Sequence, residues 1–212
     1  MSVRRALLLA CGDLYQNSWR LLVVNTALGA VLVFSVVAAI AVHALLVLAV
    51  LAGPLVTALA HCSVTLVRTG NLELADAWKG LRLHWRRGLA LGAAGVTLGV
   101  LAALAVHFYA QSSVGWPLVF ITLYLVILLG IYAAVLTTIA VAEPDEPLRV
   151  VSRQAATFVA QRPGATVLLG LALLLVNLAG VAAAVMPFLT ITVAYSFVAV
   201  AHFVVPAEAQ EV

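Results

Sequence analysis

Three long stretches of this chain, Leu21 to Val67, Gly88 to Ala142 and Pro163 to Pro206, contain no Asp, Glu, Lys or Arg. A helix crosses the hydrocarbon core of a bilayer in about 20 apolar residues, so each stretch can hold two crossings joined by a short uncharged turn. The pattern predicts an all-α polytopic membrane protein with six transmembrane helices arranged as three hairpins. The first span is expected from Trp19 to about Ala41, and the outer turns near His43, around Gln111 to Gly115 and near Ala184 to Met186. The hairpins divide the chain into approximate repeats, 1–68, 69–142 and 143–206, within one membrane domain.

The second helix of each hairpin is expected to begin at or near a proline: Gly53-Pro54, Trp116-Pro117 and Met186-Pro187. Proline fits the first turn of a helix, where its missing N–H has no partner to lose. Pro54 lies well past the turn expected near His43, so a kink or break within the bilayer is expected there.

Each hairpin is preceded by a segment with apolar residues three and four apart, the spacing of one helix face. Before the second hairpin the face reads Leu74, Trp78, Leu81 and Trp85, with Asp76, Lys79, Arg82 and Arg86 between. Before the third it reads Leu148, Val151, Ala155, Phe158 and Val159, with Arg149 and Arg153 opposed and Pro144-Asp145-Glu146-Pro147 as the expected stop and cap. Leu7, Cys11 and Leu14 form a weaker version before the first. All three are expected to lie flat at the cytoplasmic interface, either as connectors packed on the ends of the bundle or as a collar touching lipid or a partner.

Charge sets the orientation. An even number of crossings returns the chain to one side before each charged segment, so all 11 Lys and Arg residues share a face. By the positive-inside rule that face, with both termini, is cytoplasmic. This predicts a multi-pass protein of the bacterial plasma membrane. The net charge of +3 comes from basic residues beside apolar spans, which suits anionic headgroups better than nucleic acid. Trp78, Lys79, Arg82, Trp85, Arg86, Arg87, Arg149 and Arg153 are the candidate lipid or partner contacts. Cys11 and Cys62 are read as reduced packing residues. The apolar run Ala6 to Ala10 is short for a signal-peptide core, so the first span is expected to stay as an uncleaved anchor.

The spans offer little chemistry. No carboxylate, Lys or Arg falls within them, although ion-coupled pumps usually place one there. His61 lies one turn beyond Thr57 and reads either as a proton or substrate contact or as a neutral imidazole bonded to a neighbouring helix. Asn25 and Asn177 read as interhelical hydrogen-bonding residues. With Pro54 they complete the candidate intramembrane polar site. Gly88, Gly92, Gly95 and Gly99 form a small-residue stripe, expected to make an internal helix contact. No nucleophile elbow, metalloprotease motif or phosphate loop occurs; no catalytic residue, metal or cofactor is expected, and the chain is read as a non-enzyme.

Asn25, Pro54-Leu-Val-Thr57, Leu66-Val-Arg-Thr-Gly70 and Asp76-Ala-Trp78-Lys79-Gly80-Leu-Arg82-Leu-His-Trp85-Arg86-Arg87 together resemble the YesL-type integral membrane proteins of bacteria, over roughly the first 90 residues. The resemblance implies an accessory role beside a carbohydrate transporter and assigns no catalytic residue; Asn25, Pro54, Thr57, Asp76 and Trp78 are the motif positions it carries. The expected function is a non-enzymatic accessory or scaffold protein for a transport or envelope complex. The alternative is a small carrier or channel for a neutral or lipid-like substrate, acting as an oligomer.

Overall fold

The computed structural model describes residues 2–182 and 191–205, and within them every regular element is helical. Five helices are long and apolar enough to cross a membrane: Ser18–Ala41, Leu46–Thr69, Leu74–Ala110, Trp116–Ala142 and Pro163–Ala182. Where the sixth span is expected, the described residues include only a shorter apolar helix of 12 residues, Val193–Val204. The outer turn at Ala184 to Met186 and the helix start at Pro187 lie outside the described residues.

Helix α1, Val3–Gln16, starts at Ser2, whose hydroxyl accepts from the Arg5 N–H at 3.4 Å, a serine N-cap. Asn17 interrupts the helical path, and α2, Ser18–Ala41, follows. At Val42 the backbone becomes extended, and a 3₁₀ segment, His43–Leu51, leads into α3, Ala52–Thr69. Pro54 therefore occupies the first turn of α3. The irregular geometry lies upstream of it, in the 3₁₀ segment, instead of at a kink centred on the proline. The reason is the missing N–H: an α-helix running through this point would leave the Val50 carbonyl without its donor, whereas a start at Ala52 places the proline where no donor is needed. Helix α3 ends at Gly70, with φ 71°, a left-handed position that favours glycine.

Helix α4, Leu74–Ala110, runs 37 residues without interruption. A reciprocal cap opens it: the Glu73 carboxylate accepts from the Asp76 N–H, and the Asp76 carboxylate accepts from the Glu73 N–H at 2.9 Å. The segment expected to lie flat before the second hairpin is thus the first part of the span itself. Nothing between Trp85 and Leu89 stops a helix, since Gly88 only weakens one. The contrast is with α6, Leu148–Gln161, and α7, Pro163–Ala182, where Arg162 leaves the helical region and Pro163 starts the next helix. Between α4 and α6, a 3₁₀ turn at Ser113–Gly115 leads to α5, Trp116–Ala142, with Pro117 in its first turn as expected. Helix α8 is Val193–Val204.

The faces of the amphipathic helices also differ in part from expectation. Val151 and Ala155 of α6 are buried, with Leu148, Phe158 and Val159 packed alongside. Pro147 precedes α6, but no side chain caps it, so Asp145 and Glu146 are not its cap. In α1 the buried stripe is Val3, Ala6 and Ala10; Leu7 and Leu14 flank it, and Cys11 is exposed, not packed. In α4 the buried positions are Gly80, His84 and Gly88, while Leu74, Trp78 and Trp85 face outward. Glycine occupies positions 80 and 88 because α3 comes too close there to admit a side chain, while His84 between them packs on the His61 ring.

The main core joins α1, α2, α3, α5, α6, α7 and α8 through Ala6, Leu21, Leu59, Leu66, Val135, Val151, Leu169 and Val198, among others. It is lopsided. In α5 the buried residues cluster between Val135 and Val141, and α4 buries none beyond Gly88. Toward Ala110, Leu98, Leu101, Leu104 and Phe108 stay exposed, as do Phe120 and Tyr124 of α5. Lipid is a favourable neighbour for such surfaces and water is not.

Candidate functional site

Helices α3 and α4 cross through glycines. A methyl group added at Gly53 would meet the Gly88 carbonyl oxygen and the Gly92 Cα, and one at Gly88 would meet Pro54 and the Thr57 hydroxyl. One added at Gly92 would come 2.6 Å from the Val50 carbonyl oxygen. Half of the glycine stripe therefore makes the expected internal contact, whereas Gly95 and Gly99 have no such neighbour within 4 Å.

Thr57 is buried and donates to the Pro54 carbonyl oxygen at 2.9 Å, so its hydroxyl is spent within its own helix. One turn on, the His61 ring lies against Gly80, where an added Cβ would come 2.7 Å from the His61 Cβ. His84, one turn after Gly80, completes the contact: its ring centroid is 5.4 Å from that of His61, with the planes tilted by 49°. His84 is 1% exposed, and its Nε2 has no hydrogen-bond partner among the described residues. Asp76, Lys79 and Arg68 are the charges acting on His61, and Arg87 acts on His84. Pro54, Thr57 and His61 are thus brought together, and His84 joins them. Its spacing of four with Gly80 and Gly88 was the available signal.

Asn25 and Asn177 belong to other contacts. Asn25 is buried in α2. The Asn177 amide donates to the Leu173 carbonyl at 2.7 Å and to the Ser196 hydroxyl at 2.8 Å, and its oxygen accepts from Thr192 at 3.1 Å. This ties α7 to the start of α8, the interhelical role its sequence position suggests.

Eight of the 11 cations fall into two groups. The Arg87 guanidinium donates to the carbonyl oxygens of Ala140 at 2.8 Å, Glu143 at 3.2 Å, Pro144 at 2.5 Å and Glu146 at 2.6 Å. It closes the C-terminus of α5 and shapes the loop to α6, so it is not a free contact for lipid or partner. Arg68 donates to the Ala142 carbonyl at 3.4 Å, and Arg20 joins Asn17 to Asn71 at 3.2 and 3.1 Å. Positive charge at the end of α5 also suits the helix dipole.

The second group forms no polar contact among the described residues. The side chains of Lys79, Arg82, Arg86, Arg149 and Arg153 make no hydrogen bond or ion pair with a described residue. Trp78, Lys79 and Arg82 line a shallow groove on α4 with Ala75 and Leu83. The exposed Trp85 ring lies 5.3 Å from the Arg86 guanidinium carbon, within cation–π range. Trp78 and Trp85 are 63% and 46% exposed, so this face has its aromatic and cationic groups outward.

Sequence reasoning missed Gly80 and the links between distant residues, which leave no local periodicity. Among the described residues, no three His, Cys, Asp or Glu side chains converge as metal ligands. No family model, curated protein or solved structure matches this chain.

Proposed function

We propose that this chain is a non-enzymatic accessory or scaffold protein of the bacterial inner membrane, contacting a partner of a transport or envelope system through the outward face of α4. The observation that carries this reading is the division of the cations. Arg20, Arg68 and Arg87 are consumed by internal contacts, whereas Lys79, Arg82 and Arg86 make no hydrogen bond or ion pair with a described residue and lie beside two exposed tryptophans. Tryptophan and arginine are the residues most enriched where proteins bind one another tightly. The YesL-type resemblance supports a carbohydrate uptake system as the setting. Trp85, Arg86, Arg149 and Arg153 lie near enough to the apolar spans to meet anionic headgroups.

In this reading the last apolar stretch completes a sixth span, and both termini face the cytoplasm. A reporter enzyme active only outside the cytoplasm, fused after Val212, should be inactive; an active fusion overturns the topology. Replacing Lys79, Arg82 and Arg86 by Gln should abolish co-purification of the transporter or envelope partner recovered with the unaltered chain, leaving helical content unchanged. Undiminished recovery of that partner overturns the scaffold reading.

A second reading, a small oligomeric carrier for a neutral or lipid-like substrate, draws on a cavity of about 390 Å³ among α3, α4 and α5, lined by Gly53, Thr57, Gly92, Gly95, Tyr132 and Thr137, among others. It loses His61, which does not line that cavity. Flux in liposomes that Thr57→Val abolishes would favour it.

A further inference from the structure

We propose that the partner of the α4 face is an acidic amphipathic helix, docked along Trp78, Lys79 and Arg82 with its carboxylates on the lysine and the arginine. The inference rests on the scaffold reading above and names the chemistry that the partner must bring. Ala75, Trp78, Lys79, Arg82, Leu83 and Arg86 are all exposed. Lys79, Arg82 and Arg86 follow one another at intervals of three and four, so they form one row along the helix. At 3.6 residues per turn this row lies opposite Gly80, His84 and Gly88, the buried face of α4.

Three like charges in one row repel one another, and this chain supplies no carboxylate to offset them. Between Asp76 and Glu143 there is no Asp or Glu. Asp76 itself turns back to the Glu73 N–H, and among the described residues no carboxylate forms an ion pair with the row. The groove lined by Ala75, Trp78, Lys79, Arg82 and Leu83 has a volume of about 380 Å³. Its apolar members, Ala75, Trp78 and Leu83, suit the anchor residues that a docked helix presents three and four apart.

Lipid headgroups fit this part of the face less well. Lys79 and Arg82 precede the charge-free part of α4, residues 88–110, by nine and six residues, roughly 14 and 9 Å along the helix. With residues 88–110 in the hydrocarbon, both cations stand beyond a headgroup layer about 5 to 7 Å thick.

The test uses the full chain in neutral detergent and a fluorescent peptide of about 18 residues, long enough to hold a helix, with Leu and Glu three and four apart on one face. Fluorescence anisotropy should show binding that weakens with salt. It should fall roughly tenfold or more in Lys79→Gln/Arg82→Gln, with helical content unchanged. Arg4→Gln/Arg5→Gln, which removes the same charge elsewhere, should bind as the native chain does. No binding overturns the proposal, as does equal binding by a scrambled peptide of the same composition, which would reduce the effect to bulk charge. Displacement of the peptide by phosphatidylglycerol in mixed micelles, but not by phosphatidylcholine, overturns it in favour of a lipid surface. The scaffold reading fails separately, through undiminished recovery of the native partner; lost recovery without peptide binding overturns only the acidic helix.

Discussion

The His202 Nε2 lies 2.7 Å from the Asp13 carboxylate, joining residues 189 positions apart and fastening the last helix to the first. The Tyr195 hydroxyl adds a second link between the same helices, donating to the Leu7 carbonyl at 3.2 Å. Neither α1 nor α8 is among the helices long enough to span a membrane. They hold each other while packing against the core of those that are.

Asp13→Ala should therefore lower stability by about 1.5 to 3 kcal/mol, the range for a hydrogen bond to a charged group. His202→Ala should cost a similar amount, and the double variant less than the sum of the two. Thermal unfolding of the detergent-solubilised chain would measure all three. Additive losses would show that the pair is not coupled.

Adjacent arginines should behave in opposite ways. Arg87→Gln removes the donors to the Ala140 carbonyl of α5 and to three loop carbonyls and should destabilise the chain by about 2 kcal/mol, with faster proteolysis between Glu143 and Pro147. Arg86→Gln touches only the Trp85 ring and should change stability by about 0.5 kcal/mol or less. Equal effects would contradict the division of the cations.

The glycine stripe should divide at its middle. Gly88→Ala and Gly92→Ala place a methyl against the α3 backbone and should each cost about 1 to 3 kcal/mol from overpacking. Gly95→Ala and Gly99→Ala meet no neighbour and should be neutral, or stabilising by up to about 1 kcal/mol through helix propensity. Unfolding midpoints of the four single variants give the comparison.

Asn177→Leu should loosen the join between α7 and α8. It loses its bonds to Ser196 and Thr192, worth about 0.6 to 2 kcal/mol inside a membrane. Asn177→Gln, with one more methylene, should recover only part of this. Measured stabilities in the order native, Gln, Leu would support the assignment.

The long helices were legible because charge-free runs of that length leave few alternatives. Charge-free runs do not show where one helix ends when nothing stops it. Arg162-Pro163 breaks the chain because proline cannot extend the preceding helix, whereas Arg87-Gly88 lets the helix continue. Which face is buried was hidden for a related reason. Hydropathy gives Trp78 and Trp85 the weight, but close backbone approach is made by Gly80, Gly88 and Gly92. Arg87 could be read as a surface cation because its four carbonyl acceptors lie more than 50 residues away.

An unbroken α4 also behaves as a lever. At 37 residues it is roughly 55 Å long, and its tightest support is the crossing with α3 around Gly88. From Gly88 to Ala110 is roughly 33 Å, so a tilt of about 10° at that fulcrum displaces the far end by about 6 Å. A force applied to Trp78 or Arg82 near one end of α4 thus moves Phe108 and the turn to α5 at the other, with no intervening joint to absorb it.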